Sequence, residues 1–331
     1  MEQTVQPLTD GFGRRFEYLR LSLTDVCNFR CSYCLPDGYR KAKGLSGDLS
    51  LAEIRRLLTA FATLGLWKVR LTGGEPTLRE DFVDVARTVA AVPGITRVAM
   101  TTNGYRLVER AASYAEAGVS AINISIDSLD AARFADITGH DRLAEVLAGV
   151  EAARAAGFST IKLNCVLMRG VNADEVGALV DFAAERDLSL RFIEVMRTND
   201  NPDFYAQRHV GAELVTSLLD RRGWSRLPRR AGDGPAIEYG RSDARGRVGV
   251  IAPYSRDFCA TCNRLRVSSR GKLHLCLFGD AGIDVRPLLE SDDQHDDLVA
   301  RLRALTMTKA AAHHLHEGSS GGTANLSAIG G

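Results

Sequence analysis

The sequence predicts an α/β fold: an incomplete (β/α)6 TIM-like barrel whose open side is closed by a smaller C-terminal β/α region. Three observations predict it. Between residues 16 and 195, strand-like segments alternate with helical ones, the rhythm of βαβ units and parallel strands. There are six such units, short of the eight that close a full barrel. After Met196 the rhythm stops, and residues 223–280 turn to Gly, Pro and charge with short strand-like pieces. The expected division is an N-terminal arm at 1–16, a partial barrel at 17–196, a C-terminal region at 197–320 and a tail at 321–331. A doubly wound open sheet is the structural alternative.

Residues 1–16 are polar and Gly-containing, and read as an extended arm. Residues 16–23 alternate with period two and form the first strand. Residues 35–49 read as loop. Ser50-Leu-Ala-Glu53 is a capping box that opens a helix to about Leu64, and Gly65 stops it. Strands follow at 67–72, 96–101, 121–126, 160–167 and 188–195, and helices at 81–91, 106–117, 142–156 and 173–186. Beyond Met196, residues 197–210 read as loop and 211–222 as helix. Strand-like pieces fall at 237–239, 247–251 and 264–276, and the last stretch reads as helical and then loose.

Composition narrows the function classes. The 42 basic and 41 acidic residues leave a net charge of +1, so the whole chain lacks the basic footprint of a nucleic-acid binder. No apolar run approaches the roughly 20 residues that span a bilayer, and Met1-Glu-Gln-Thr lacks the pattern of a signal peptide. A cytoplasmic protein is expected, with no membrane partner. Seven Cys, six of them in two sets, suggest metal binding in a reducing compartment rather than disulfides.

The first set is Cys27, Cys31 and Cys34, spaced C-x3-C-x2-C. Three thiols are one ligand short of a closed zinc or iron–sulfur site. On a four-iron cube they would leave one iron open to a small molecule; a zinc knuckle completed from elsewhere is the alternative. The second set, Cys259, Cys262 and Cys276, is again three, and zinc and cluster both remain open. Cys165, alone on a strand, reads as a small buried hydrophobe. In parallel α/β folds ligands sit at the carboxyl ends of the strands. The first Cys loop and Gly73-Gly74-Glu75-Pro76 both lie there, and two glycines let a ligand approach the backbone.

Basic residues stand inside the expected strands: Arg20, Lys68, Arg70, Lys162, and Arg264 with Arg266 on one face of the step Arg-Leu-Arg. A buried unpaired charge is expensive, so these cations need anionic partners, either carboxylates or a polyphosphate. There is no G-x4-G-K-[ST] loop and no GxGxxG opening a helix, so conventional NTPase and dinucleotide readings lack support. His313, His314 and His316 read as a solvated helix end, with a metal site as the alternative.

Cys27-x3-Cys31-x2-Cys34, with Tyr33 before the last thiol, resembles the signature of the radical S-adenosylmethionine (SAM) enzymes. Arg20-Leu-Ser-Leu-Thr-Asp25 running into it resembles the opening of the GTP 3′,8-cyclase family, which performs the first step of molybdenum cofactor biosynthesis. The likeness extends from about residue 12 to 331. Both Cys sets, the GGEP turn, Arg264-Leu265-Arg266 and a terminal Gly330-Gly331 occur in the family's order. Val26 departs from it, since the family commonly carries Arg there.

The resemblance implies a partial barrel of the radical SAM type and a lyase that converts GTP to (8S)-3′,8-cyclo-7,8-dihydroguanosine 5′-triphosphate. It implies two 4Fe-4S clusters. One, on Cys27, Cys31 and Cys34, chelates SAM; the other, on Cys259, Cys262 and Cys276, anchors the guanine. Tyr33, Gly74, Ser125 and Met196 would contact SAM. Arg20, Lys68, Arg70, Thr101, Lys162, Arg264, Leu265 and Arg266 would hold GTP, with Arg20, Arg264 and Arg266 catalytic. Gly330 and Gly331 would insert into the active site. The implied partners are a flavodoxin- or ferredoxin-like electron donor and a downstream cyclic pyranopterin monophosphate synthase, and the family suggests a homodimer. Two other readings are a radical SAM peptide maturase and a non-enzymatic, zinc-stabilised binding module.

Overall fold

One twelve-stranded sheet carries the chain in the computed structural model, which describes residues 7–40, 46–229, 233–279, 282–322 and 326–330. The first half reads β1 (Tyr18–Ser22), α1 (Leu51–Thr63), β2 (Lys68–Thr72), α2 (Phe82–Ala90), β3 (Arg97–Thr102), α3 (Leu107–Glu116), β4 (Val119–Ser125), α4 (Ala131–Thr138), α5 (Leu143–Ala155), β5 (Thr160–Leu167), α6 (Val176–Ala184) and β6 (Ser189–Glu194). The second adds α7 (Pro202–Arg208), α8 (Glu213–Arg221), β7 (Ser225–Arg226), β8 (Ile237–Gly240), β9 (Arg247–Ile251), β10 (Arg264–Val267), β11 (Lys272–His274), β12 (Ile283–Asp284) and α9 (His295–Met307).

Local sequence explains α1. The Ser50 hydroxyl accepts from the Glu53 amide, and the Glu53 carboxylate accepts from the Ser50 amide at 2.7 Å, so two otherwise orphaned donors are satisfied. Ile54, Leu57, Leu58 and Phe61 recur at helical spacing and are wholly buried. Each such side chain contributes roughly 1.5–3 kcal/mol through burial.

Six βα units lay β1 to β6 side by side and parallel, as expected. The C-terminal region does more than cover an open side. It adds β10 parallel to β1 at one edge and β9 parallel to β6 at the other. Antiparallel pairs, β11 with β12 and β8 with β7, extend the two edges. Among the described residues β7 and β12 do not pair, so the sheet is not closed into a barrel.

Several expectations are corrected. Residues 7–16 of the arm do not run free of the body: Leu8 and Phe16 are buried, Thr9 bridges Arg15, and Asp10 holds Arg14 at 2.6 Å. Residues 197–210 contain α7, opened by Pro202, a short helix with no apolar stripe to reveal it. Asp130 caps α4 in a stretch given no element from sequence. The segment 264–276 is a hairpin, β10 and β11, turning through Gly271 at φ +80°. Residues 1–6 and Gly331 lie outside the described residues.

Candidate functional site

Strand alternation creates the site. In β1, Leu19 and Leu21 are fully buried in the hydrophobic core, while Tyr18 and Arg20 face a cavity. Parallel register then lines up matching positions. Arg20 pairs with Arg70 of β2 and with Arg266 of β10, so three guanidinium-bearing residues stand abreast on adjacent strands. Tyr18 stands abreast of Lys68 and Arg264 in the row beside it. Like charges directly opposite on a sheet destabilise it.

The cavity faced by these rows has about 1270 Å³ of empty space, partly open to solvent. Nine basic residues line it: Arg14, Arg20, Lys68, Arg70, Lys162, Arg191, Arg264, Arg266 and Lys309. No carboxylate lines it among the described residues. Burial pulls the Arg20 guanidinium down to about 10, and burial with Arg20 and Arg264 pulls Arg266 well below its ordinary value. Lys162 is brought to about 7 by burial and the charge of Arg191. The buried carbonyl oxygens Oδ1 of Asn123 and Asn164, on the same wall, have no hydrogen-bond partner. An arrangement of this kind suits a polyanion that also carries hydroxyl or amine donors.

Cys259, Cys262 and Cys276 line the same cavity. Burial raises the Cys262 thiol, but Arg264 and Lys309 outweigh it, and its pKa falls below the ordinary value. A thiol in such surroundings is suited to be a thiolate ligand.

A second cavity, with about 1230 Å³ of empty space, adjoins the first along Asn164, Ile193 and Met196, which line both. Cys27, Cys31 and Cys34 line it, together with Tyr33, Gly74, Thr101, Ser125 and Asp127. The Cys loop is pinned to the end of α4: Arg30 and Ser32 amides donate to Thr138 and Ile137. The Phe29 ring stacks on His140 at 5.1 Å and meets Phe134 edge-on. Tyr33 donates its hydroxyl to Asp127 at 2.9 Å, which ties the loop to the end of β4. Gly73 and Gly74 are required where they stand, because a Cβ on either would overlap the carbonyl oxygen of Thr24 or Val26. Glu75 is buried and accepts from Thr77 at 2.6 Å, Thr102 at 2.8 Å and the Asn103 amide at 2.7 Å.

Burial pushes the Cys27 thiol up to about 11 and Cys34 to about 12, and Cys31 also rises. None of the seven Cys is in a disulfide. Among the described residues no three His, Cys, Asp or Glu gather so as to hold one metal ion. The two thiol sets instead stand around cavities. Lone thiolates in the first would be costly, and a cationic multi-iron centre would draw the protons off. The residues present therefore fit iron–sulfur ligation.

The structure brings nearly every sequence-derived candidate to one of the two cavities. Two described candidates line neither: Leu265, whose side chain is fully buried in the core, and Gly330. Thr101 faces the second cavity, and its hydroxyl accepts from Arg70 at 3.2 Å. Gly330 is buried against Thr72, and Arg266 donates to its carbonyl. Cys165 is buried, as expected. The His run divides: His314 caps and His316 lies within a short 3-10 turn, both exposed as expected, while His313 is buried and lines the cationic cavity. Sequence reasoning missed Tyr18, Arg191, Arg14 and Lys309. Period-two alternation would have found the first two. Nothing local marks Arg14, whose guanidinium reaches the carbonyls of Cys259, Ala310 and Ala311.

Residues 21–183 match the family model of the radical SAM superfamily, and residues 188–315 match that of Molybdenum Cofactor Synthesis C. The chain is 54% identical over 331 residues to the GTP 3′,8-cyclase of Aeromonas hydrophila, covering 99% of this chain and 97% of that one. It is 54% identical to the GTP 3′,8-cyclase of Stenotrophomonas maltophilia strain K279a, covering 99% and 100%. It is 52% identical to that of Yersinia pestis, covering 98% and 99%. In fold it is similar to Streptococcus suis SuiB, solved with S-adenosylmethionine bound, at a TM-score of 0.61 and 15% identity, covering 88% of this chain and 68% of that one.

Proposed function

This chain belongs to the GTP 3′,8-cyclase family of the radical SAM superfamily, and from that premise we propose how its two cavities share the reaction. It is an enzyme of molybdenum cofactor biosynthesis that uses SAM and iron–sulfur chemistry and takes GTP as substrate. We assign it to the lyases, with (8S)-3′,8-cyclo-7,8-dihydroguanosine 5′-triphosphate as product. The observation that carries the assignment is the cationic cavity: nine basic residues, three thiols and no described carboxylate, sharing a wall with a second three-thiol cavity.

Cys27, Cys31 and Cys34 would ligate one 4Fe-4S cluster, and Cys259, Cys262 and Cys276 a second. Bound together, the first cluster and SAM would supply one-electron, carbon-radical chemistry. The chain's own residues do the rest. Tyr33, fixed by Asp127, holds the Cys loop in place. The bare backbone at Gly74 receives the SAM amino group, Ser125 its ribose and Met196 its adenine. Arg20, Lys68, Arg70, Lys162, Arg264 and Arg266 grip the triphosphate, and Thr101 and the backbone of Leu265 complete the substrate contacts. Arg20, Arg264 and Arg266 act closest to the chemistry, orienting GTP so that C3′ of its ribose lies against the radical source and then against C8 of guanine. Correct placement matters because a primary carbon radical attacks any C–H bond in reach. Gly330 reaches in from the tail, the family resemblance implies the same of Gly331, and Phe258 and Phe278 help to exclude water.

A flavodoxin- or ferredoxin-like protein would supply the electron, and cyclic pyranopterin monophosphate synthase would consume the product. A homodimer acting in the cytoplasm completes the proposal. No described helix is long and apolar enough to cross a membrane.

The test is an anaerobic incubation of iron-loaded protein with GTP, SAM and dithionite. GTP should be consumed in step with 5′-deoxyadenosine formation. Deoxyadenosine without loss of GTP would overturn the cyclase assignment, and no deoxyadenosine from cluster-replete protein would overturn the SAM site.

A further inference from the structure

Tyr18 occupies a place where a phenol is unexpected. The residue is 5% exposed and lines the cationic cavity from β1. Arg70 Nε donates to its hydroxyl at 2.5 Å, and Lys68 Nζ stands 4.8 Å from the centre of its ring. Arg20 follows two residues along the same strand. Arg264, abreast of it on β10, and Arg266 close the other side. A buried group of cations with no carboxylate on its wall is costly unless some anion is near. Apart from the thiols of Cys259, Cys262 and Cys276, Tyr18 is the acidic side chain lining this cavity among the described residues.

We propose that Tyr18 is an exchangeable counter-ion of the triphosphate subsite, a phenolate shared by Arg70, Arg20 and Lys68 that takes up a proton when a nucleoside triphosphate brings its own charge. The inference rests on the reading that this cavity binds GTP. Burial alone would raise the phenol, yet Arg70, Arg20 and Lys68 outweigh it and bring Tyr18 down to about 7. A triphosphate that engages those cations removes the pull and leaves burial in control, so the phenol regains its proton. Nucleotide then enters by exchanging one anion for another, and Arg20 and Arg70 stay oriented between turnovers.

The groups that face Tyr18 are Arg20 on its own strand, Lys68 and Arg70 on β2, and Arg264 and Arg266 on β10. Lys162, on β5, titrates near the same pH and adds its own proton, so the readout must be a difference.

The test is calorimetric titration of GTP into iron-loaded, full-length protein at about pH 8, in two buffers of different ionisation enthalpy, for wild type and Tyr18→Phe. Wild type should take up about one proton more per GTP than the variant. From about pH 8 to 9 its Kd should rise about tenfold more than the variant's. Near pH 6, where the phenol is protonated in either state, the two should bind alike, which also shows the variant is folded. Equal proton uptake by both proteins overturns the inference and leaves the GTP site standing. Failure of wild type to bind GTP at any pH overturns both.

Discussion

Arg266, on β10, donates its guanidinium to the carbonyls of both Ile329 and Gly330, joining the inner sheet to the end of the chain. Gly330 has a φ of +64° and is buried against Thr72, the last residue of β2. A Cβ there would overlap the Thr72 methyl and sit in a backbone region that costs an L-residue about 1–2 kcal/mol. Gly330→Ala should therefore expel the tail and lower GTP turnover at least about tenfold. Global stability should hardly move, because a chain end contributes little to the cooperative core. Turnover and a thermal melt on the same preparation check this; full activity would mean the tail is a bystander.

Arg191 lies on β6 with its guanidinium on Glu238 at 2.6 Å, and its buried Nε has no partner. Arg191 is on the wall of the cationic cavity. Charge-assisted hydrogen bonds contribute roughly 1.5–3 kcal/mol each, so Arg191→Met should weaken GTP binding about 10- to 100-fold. Glu238→Gln only loosens the orientation of Arg191 and should cost less than about tenfold. Calorimetric Kd values for the two variants decide it; equal effects would assign Arg191 to the fold rather than to the substrate.

Ser50 caps α1 through the reciprocal pair with Glu53, whose carboxylate also receives Arg286 at 2.6 Å. Ser50→Ala should cost about 1 kcal/mol in urea unfolding and leave turnover unchanged, since α1 packs behind the sheet. A loss of activity with unchanged stability would contradict that placement.

Ser50 also illustrates what a sequence displays. A capping box is written in four consecutive residues, and β5 runs over 160–167 as expected because every second side chain is buried. The two Cys sets and the GGEP turn were legible for the same reason: their chemistry is local. Register is not local. Arg20 stands abreast of Arg266 only because β10 returns to the free edge of β1, a pairing no spacing announces. The contacts of Arg14 with Cys259, Ala310 and Ala311 likewise join opposite ends of the chain. Arg191 stands inside an expected strand just as Lys162 does, yet an Arg with a carboxylate partner is the ordinary state of a strand cation. Helix α7 escaped because seven residues with no buried position carry no apolar period.

Lys162 offers a pH test of the same cavity. Burial, with the charge of Arg191 on the neighbouring strand β6, lowers its ammonium to about 7, so nucleotide-free enzyme above that pH holds it largely neutral. A triphosphate favours the charged form, so binding must draw in a proton at pH values between the free and bound pKa. The sign follows: GTP affinity falls as pH rises through about 7, by up to about tenfold per pH unit from this group. In the Tyr18→Phe background this is the steep component expected to remain. Adding Lys162→Met should flatten the Kd profile from about pH 7 to 8.5 and abolish the residual proton uptake, while weakening binding near pH 6, where wild-type Lys162 is charged. Calorimetry on the single and double variants measures both quantities. A double variant that still takes up a proton on binding GTP would place the titrating group elsewhere on the wall, and the low pKa of Lys162 would then have no part in substrate binding.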